Sequence, residues 1–573
     1  MVTEKLRIWI FVTVTVAVFS ILLARLYHIQ IVEHEKFLSM AQRNFLKSIR
    51  IPYKRGRILD RNGIVLADWK PGFAVFILKD GLKKNELKNL LDIIGLKTNV
   101  DSLYRKLLSY PVLKDLSLKD IVKLEEQRDK FPYFVIGAVP ERYYHFAGPL
   151  SHVTGYTGEV TPEEIKRDST LKPGETIGKR GVEKFYNDIL RGKFGTRFFM
   201  VDVTGHLIKE DPVPPIEPVN GKDIYLTIDA PLQLYIDTIM EKYRMGAVVV
   251  LNIKTGEVLA LYSKPYFDAN TFSTGIPLKL WKKLINDKTR PLLDRAISGL
   301  YPPGSTFKPV SALFALQVEA VSENTVFSCP GYYRFGRRTW GCWFKPGHGS
   351  LDLPHAIQKS CDVYFYQLGL RIGFGRFLKL LQEFNIGGRT GIDLPGEVPS
   401  FVPDSGWYVA RYGENGFGPG NVLNLSIGQG EILLTPLKIA VLTGLIAGDG
   451  VLPSPHLLLK CDSRCVNRVD TLRWNVKKDY FRSVKRGMWL VVNEQGGTAY
   501  ASRSDMVVYA GKTGTSQNPH GKDHALFTAF APYDDPEIVV TVVVEHGEHG
   551  SSVAPVARKI IERYFASRIA SSR

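Results

Sequence analysis

The chain has 573 residues, 45% hydrophobic and 23% charged, with a formal net charge of +18. That length exceeds one ordinary domain, and the composition excludes a disordered or low-complexity protein. The lysines and arginines are spread along the chain among acids, with no tight basic run. This sets nucleic acid aside as a partner and leaves a solvated basic surface suited to an anionic membrane face.

In chain order, the first element is an apolar segment. Ile8 to Ala24 carries no formal charge, and Leu26 and Tyr27 extend it to about the 20 residues that cross a bilayer. Residues 8–27 are therefore expected to span the membrane. Lys5 and Arg7 precede the segment, which predicts a cytoplasmic tail over 1–7. Bulky residues at Arg25–His28 offer no small-residue cleavage site, so an uncleaved anchor is expected, with the bulk of the chain periplasmic.

Residues 28–210 read as a first extracytoplasmic region of mixed strands and helices. It contains an Asp60-Arg61-Asn62-Gly63 turn between extended segments over 58–67. Amphipathic helices are predicted over Leu82–Leu108 and Leu118–Lys130, and another helix over Gly181–Leu190. No catalytic constellation falls here, so the region reads as a scaffold or docking module. The proline-rich stretch Glu210–Pro218 predicts a semi-rigid linker over 211–222.

From residue 223 to 573 the pattern is α+β. Strands are predicted at Ile224–Ile228, Ala247–Ile253 and Val258–Tyr262, then a helical block from Ser305 to Ile446. Strands return at Met506–Ala510, Ala525–Ala531 and Ile538–Glu545, and a helix over Ala554–Ala566 closes the chain.

Three short strings lie in this second part: Ser305-Thr306-Phe307-Lys308, Ser360-Cys361-Asp362 and Lys512-Thr513-Gly514-Thr515. Each alone is weak. A second S-x-x-K stands at Ser169–Lys172, a second K-T-G at Lys254–Gly256, and Ser322-Glu323-Asn324 fits S-x-N. Context separates them. Ser169 sits among charges before Pro173-Gly174, and Lys254–Gly256 joins two apolar runs as a hairpin turn. Ser305 instead follows the Tyr301–Gly304 break and precedes the apolar run from Val310, which places it at a helix start. On a helix, residues three apart share a face, so Lys308 is expected to reach the Ser305 hydroxyl. A serine needs such a base to become a nucleophile, and a lysine is a base only when burial or a nearby cation lowers its pKa. Lys512 is the expected cation, just after the 506–510 strand at the sheet edge.

Cys329, Cys342, His348 and Cys361 form Cys-x12-Cys-x5-His-x12-Cys between the first two strings. The ligand types suit a Cys3His structural zinc site. A disulfide between two of the three cysteines and a plain loop role for His348 are the rival readings. If zinc takes three cysteines, Cys461 and Cys465 remain, around a hairpin-like tip, and a local disulfide is expected there.

These residues resemble the class B penicillin-binding proteins over nearly the whole chain, the three strings being the S-x-x-K, S-x-[ND] and K-T-G set of serine β-lactamases and penicillin-binding proteins. Arg55–Gly63, Gly181-Val182-Glu183, Leu190-Arg191-Gly192 and Leu226–Asp229 match further stretches of the family. Tyr301–Pro309, Gly347-His348-Gly349, Phe530–Tyr533 and the aspartate of Ser360-Cys361-Asp362 resemble its elongation-specific lineage, penicillin-binding protein 2. The resemblance implies an α+β chain: a single N-terminal transmembrane helix, an elongated, non-catalytic pedestal of the dimerisation type, then a transpeptidase domain with an antiparallel sheet flanked by helices and an all-α subdomain.

The resemblance also implies peptidoglycan D,D-transpeptidation on stem peptides or their lipid-linked precursor. Ser305 would be the acyl-ester nucleophile, Lys308 the general base and Ser360 a proton relay. Lys512, Thr513, Gly514 and Thr515 would face the substrate carboxylate, and the main-chain N–H groups of Ser305 and Thr515 would form the oxyanion hole. Asp362 would hold Lys308 or accept from a substrate amide. Zinc at the Cys/His set, a membrane glycosyltransferase of the rod-shape (SEDS-type) family as partner, inhibition by β-lactams and an inner-membrane location follow from the same resemblance. A D,D-carboxypeptidase, a β-lactamase and a mainly non-enzymatic activator of the glycosyltransferase are the competing readings. The anchor and pedestal argue against a secreted β-lactamase, and the intact serine and lysines against a purely structural protein.

Overall fold

The computed structural model describes residues 2–78, 84–95, 100, 113–114, 116–130, 134–202, 207–462 and 469–571. Helix α1 (Val2–Tyr27) exposes its apolar side chains all round. It belongs to a helical stretch, Thr3–Val32, long and apolar enough to cross a membrane. Thr13 and Thr15 return their hydroxyls to the carbonyls of Trp9 and Phe11 at 2.8 Å, so these polar groups are satisfied within the helix, as a bilayer interior demands.

The pedestal sheets use β1 (Leu46–Ile51), β2 (Ile58–Leu59), β3 (Val65–Ile77), β4 (Phe134–Tyr144), β5 (Gly195–Val201), β6 (Leu207–Glu210) and β7 (Ile224–Leu226). Strands β1, β5 and β6 form one antiparallel sheet. Helices α2 (Lys84–Ile94) and α3 (Leu118–Glu125) pack together over a small core that includes Leu87, Leu91 and Leu124. The predicted 82–108 helix is thus seen over α2, while 96–99 and 101–112 lie outside the described residues. The 118–130 prediction resolves into α3 and a 3-10 turn at Arg128–Lys130. The 181–190 prediction is two short helices meeting at Tyr186.

The second part begins with α4 (Ala230–Met240), β8 (Gly246–Asn252) and β9 (Val258–Lys264). A 3-10 turn over Gly304–Phe307 leads into α5 (Lys308–Gln317). Four short strands follow: β10 (Phe327–Cys329), β11 (Tyr332–Phe335), β12 (Arg338–Gly341) and β13 (Gly349–Leu351). The expected continuous helical block is therefore interrupted. The loop carries the Gly331, Gly336 and Gly347 positive-φ turns, which a helix cannot absorb. Then come α6 (Leu353–Gln358), α7 (Asp362–Ile372), α8 (Pro436–Ala447), β14 (Leu458–Cys461), α9 (Lys478–Asn493), β15 (Ala510–Ser516), β16 (His524–Ala531), β17 (Ile538–Val544) and α10 (Ala554–Ser571).

The central sheet runs β9-β8-β17-β16-β15, antiparallel throughout. Helix α8 packs on it, and α4 and α10 also lie against it and each other. Every residue of α8 is buried, the pattern of a helix wrapped by core on all sides. Even Lys438 is buried there, its Nζ donating to the Gly387 carbonyl at 3.0 Å. The strand predicted at 506–510 lies further on: Met506 and Val508 are exposed, and pairing begins at Ala510. Lys512 is inside that strand, opposite Thr528, and β15 is the sheet edge.

A second five-stranded sheet runs β14-β7-β2-β3-β4, joining strands from either side of the predicted linker. Within that linker, Ile216 and Val219 bridge to Thr196 and Lys193, so the proline-rich segment lies zipped along the end of the pedestal. The Asp60 turn adds a further tie. Its Oδ1 accepts from the N–H groups of Asn62 and Ile64 at 2.8 Å, and its Oδ2 accepts from Ala230 N at 3.1 Å, at the start of α4. Beneath this turn Glu183, fully buried, accepts from Arg55 Nε and Arg142 Nε at 2.6 Å each.

Candidate active site

Ser305 lies in the 3-10 turn ahead of α5, not in the α-helix proper. Gly304 makes this turn possible. It adopts φ +53°, and a Cβ there would stand 2.3 Å from the Thr515 carbonyl, so only glycine lets the turn press against β15. Gly304 N also donates to Gly428 O at 2.8 Å, and Gln429 Nε2 to Thr515 O at 2.9 Å. Tyr301, just upstream, is fixed by its hydroxyl, which donates to Glu545 at 2.8 Å, the same carboxylate that takes Arg295 Nε at 2.7 Å.

Lys308 is fully buried. Its Nζ donates to Asp362 Oδ1 at 2.8 Å, the Ser360 carbonyl at 2.7 Å and Ser360 Oγ at 3.2 Å. Those acceptors match the three N–H donors of an ammonium. The expected bond to Ser305 is not among them: the turn preceding α5 is 3-10, and the ion pair with Asp362 draws the amine toward the Ser360 loop. Lys512, also fully buried, donates to Ser360 Oγ at 2.9 Å and to the Thr513 carbonyl at 2.9 Å. Ser360 Oγ thus bridges the two lysines.

Burial, and then the charge of Lys308, hold the Lys512 amine well below the usual lysine range, with Asp362 opposing. Lys308 is thus the amine paired with a carboxylate, and Lys512 the one held low by burial and by its lysine neighbour. Thr513 Oγ1 is fixed by Thr498 Oγ1 at 2.8 Å, and Gly514 packs where a Cβ would meet Thr306 Cγ2 at 2.7 Å. Of the decoy strings, Lys254–Gly256 is the hairpin turn between β8 and β9, and Ser169–Lys172 is a surface turn.

Sequence reasoning missed Trp343, Thr498 and Gln429. Trp343 N donates to Asp362 Oδ2 at 2.9 Å, and its Nε1 lies 3.0 Å from Lys359 O and 3.1 Å from Ser360 O. Only its place directly after Cys342 hinted at it.

The Cys/His set converges. One donor atom from each of Cys329, Cys342, His348 and Cys361 lies within 4.8 Å of the others. His348 Nδ1 stands 3.7 Å from Cys329 Sγ and 3.6 Å from Cys342 Sγ. All three cysteines are buried and free, which removes the rival disulfide among them. A hydrogen bond from the Cys361 thiol, with help from His348, holds Cys342 far below the usual thiol range, while Cys361 is pushed up. Three buried thiols and an imidazole converging on one point fit the Cys/His ligand set of a zinc ion. Cys461 is disulfide-bonded; Cys465, its expected partner, lies outside the described residues.

The comparisons agree with this geometry. Residues 246–562 match the penicillin-binding protein transpeptidase domain, and residues 50–226 the penicillin-binding protein dimerisation domain. The chain belongs to the penicillin-binding protein transpeptidase family. The peptidoglycan D,D-transpeptidase MrdA of Haemophilus influenzae is 34% identical, covering 96% of this chain and 90% of its own. A penicillin-binding protein 2 from Helicobacter pylori, solved in complex with MreC, is 31% identical with a TM-score of 0.80, covering 91% of this chain and 99% of its own. A chain from a structure describing the coordination of polymerization and crosslinking by a peptidoglycan synthase complex is 29% identical, with a TM-score of 0.73 and 98% of each chain covered. The chain thus joins an N-terminal apolar helix, a dimerisation-type pedestal and a transpeptidase domain.

Proposed function

We propose that this chain is a peptidoglycan D,D-transpeptidase of cell elongation, acting through a Ser305 acyl-enzyme. The observation that carries the reading is Ser360 Oγ, set between Lys308 Nζ and Lys512 Nζ at 3.2 and 2.9 Å, beside the Gly304–Phe307 turn and the β15 edge. Ser305 Oγ attacks the carbonyl of the penultimate D-alanine of a stem peptide. Before that step, a proton passes from the Lys308 ammonium through Ser360 Oγ to the Lys512 amine, which burial keeps ready to receive it only when a substrate carboxylate arrives beside it. Lys308, now neutral, takes the Ser305 proton as general base. The tetrahedral oxyanion is held by the main-chain N–H groups of Ser305 and Thr515. Terminal D-alanine leaves with a proton returned through Ser360, and the amine of a second stem peptide resolves the ester. β-Lactams acylate the same serine.

The substrate lies as an added strand along β15, the edge strand of the central sheet, its carboxylate at Lys512, Thr513 and Thr515. Cys329, Cys342, His348 and Cys361 would hold a structural zinc, which would tie the β10–β13 loop to the start of α7. Cys461 pairs with Cys465. In this reading helix α1 is the anchor of a single-pass inner-membrane protein, with residues 1–7 in the cytoplasm, supported by its length and apolar composition. Residues 28–210 are the pedestal, and residues 223–573 the transpeptidase domain. The Helicobacter pylori relative's complex with MreC and the peptidoglycan synthase complex support partners in an assembly, which this reading takes to include a SEDS-type glycosyltransferase.

The test is covalent labelling. Detergent-solubilised protein incubated with fluorescent penicillin forms a stable adduct that is absent from Ser305→Ala. No adduct on the wild type, or rapid release of the label, overturns the transpeptidase reading.

A further inference from the structure

Trp343 shares both of Lys308's principal acceptors. The Ser360 carbonyl takes Lys308 Nζ at 2.7 Å and Trp343 Nε1 at 3.1 Å, the indole N–H being shared with the adjacent Lys359 carbonyl at 3.0 Å. The Asp362 carboxylate takes Lys308 Nζ on Oδ1 at 2.8 Å and Trp343 N on Oδ2 at 2.9 Å. The carbonyl's two lone pairs are thereby both used. The residue they hold is unusual: Ser360 is not glycine, yet it sits at φ +53°, a left-handed course that needs outside support. Hydrophobic burial does not explain the tryptophan, because its side chain is 56% exposed, with its ring edge against Phe344 and His348.

We infer that Trp343 is a positioning residue for the acylation step, its indole N–H holding the Ser360 carbonyl so that Ser360 Oγ stays between the two lysines. The inference rests on the Ser305 acyl-enzyme reading. Trp343 touches no reacting atom. It acts by removing the freedom of the Ser360 peptide to turn, which would carry Oγ away from Lys512 and swing the carbonyl off Lys308. Because Trp343 follows Cys342, the same residue ties the Cys/His loop to the reaction centre.

Two variants of the full-length protein separate the indole N–H from the ring. Trp343→Phe keeps the ring and the main-chain N–H that serves Asp362; Trp343→Ala removes the ring as well. Fluorescent penicillin is titrated to saturation, giving a limiting acylation rate and a half-saturating concentration, with zinc content and melting temperature measured on the same samples. The expected result is a limiting rate lowered about five- to tenfold in both variants, the worth of one hydrogen bond, with half-saturation, zinc content and melting unchanged in Trp343→Phe. A Trp343→Phe protein that acylates at the wild-type rate overturns the inference, as does a slow Trp343→Phe protein that has lost zinc or melts early, because the ring would then be merely packing. A wild type that takes no label removes the underlying function reading instead.

Discussion

Lys308 and Asp362 form a buried ion pair at 2.8 Å, the lysine fully enclosed and the aspartate side chain 13% exposed. This pair gives the Lys308 amine a buried counter-charge. Replacing Asp362 with Asn keeps the acceptor oxygen but removes the charge. Asp362 is the group that opposes the downward shift of Lys512, so its loss lowers Lys512 further. The limb of the acylation pH profile that reports Lys512 moves to lower pH. The maximal rate falls by roughly tenfold or more, since one partner of a buried pair is left uncompensated. Fluorescent-penicillin kinetics from pH 5 to 9 check both; an unchanged rate and profile would remove Asp362 from the mechanism.

Zinc removal is expected to act on the loop, not on a reacting group. Purified protein is expected to hold stoichiometric zinc, and Cys342→Ser to hold far less, because three ligands and a buried hydroxyl bind zinc poorly. Acylation of Cys361→Ser should slow although Ser305, Lys308, Ser360 and Lys512 are all present, since Cys361 lies between Ser360 and Asp362. Elemental analysis beside labelling kinetics tests this. Zinc-free wild type after gentle purification would sink the metal assignment.

The pedestal has its own buried electrostatic knot. Glu183 is shared by Arg55 and Arg142 at 2.6 Å each, and Tyr144 Oη donates to it at 3.2 Å. Glu183→Gln leaves two enclosed guanidinium groups without a counter-charge, with an expected loss of about 3–5 kcal/mol. Thermal unfolding should show an early transition from the pedestal. A single transition at the wild-type temperature would contradict this account.

Asp294 gives a pH signature. It is half-buried at the start of the Arg295–Ser298 helical turn, accepting from Ala296 N at 3.1 Å, and desolvation pushes its carboxyl up to about 6. The folded protein therefore binds this proton more tightly than the unfolded chain, whose carboxyl titrates near 3.8. The group's contribution is fully present below the unfolded value and is lost as pH rises through the folded one. Asp294→Asn should remove that decline, making the variant more stable than wild type at pH 8 by up to about 3 kcal/mol. Melting curves at pH 4 and pH 8 decide; equal differences at the two pH values would refute it.

Much of this molecule was legible in the chain because its signals are chemical types at fixed order. The serine-lysine spacing, the K-T-G string and the Cys/His set name their partners by side-chain chemistry, and folding brings them together across 207 positions, from Ser305 to Lys512. Elements that rest on main-chain chemistry were not legible. Met506 and Val508 read as a strand by their apolar side chains, yet the paired strand is the polar Ala510–Ser516, where glycine and threonine suit an edge that must admit substrate. The Ser360 carbonyl, the acceptor that Lys308 and Trp343 share, has no side-chain signature at all. Nor has the pairing of Asp362 with Lys308 rather than Lys512, which rests on the carboxylate's position in space.

The sheet that runs β14-β7-β2-β3-β4 has a practical meaning for anyone dividing this protein. A catalytic unit cut out at residue 223 would take β7 and β14 with it but leave β2 behind. It would also strip Asp60 from the first turn of α4. The excised piece would show a raw strand edge of the kind that recruits other chains, and its first helix would begin uncapped by its neighbour. A faithful fragment must begin ahead of Arg55, so that what looks like a tether in the sequence behaves as one continuous body from pedestal to nucleophile.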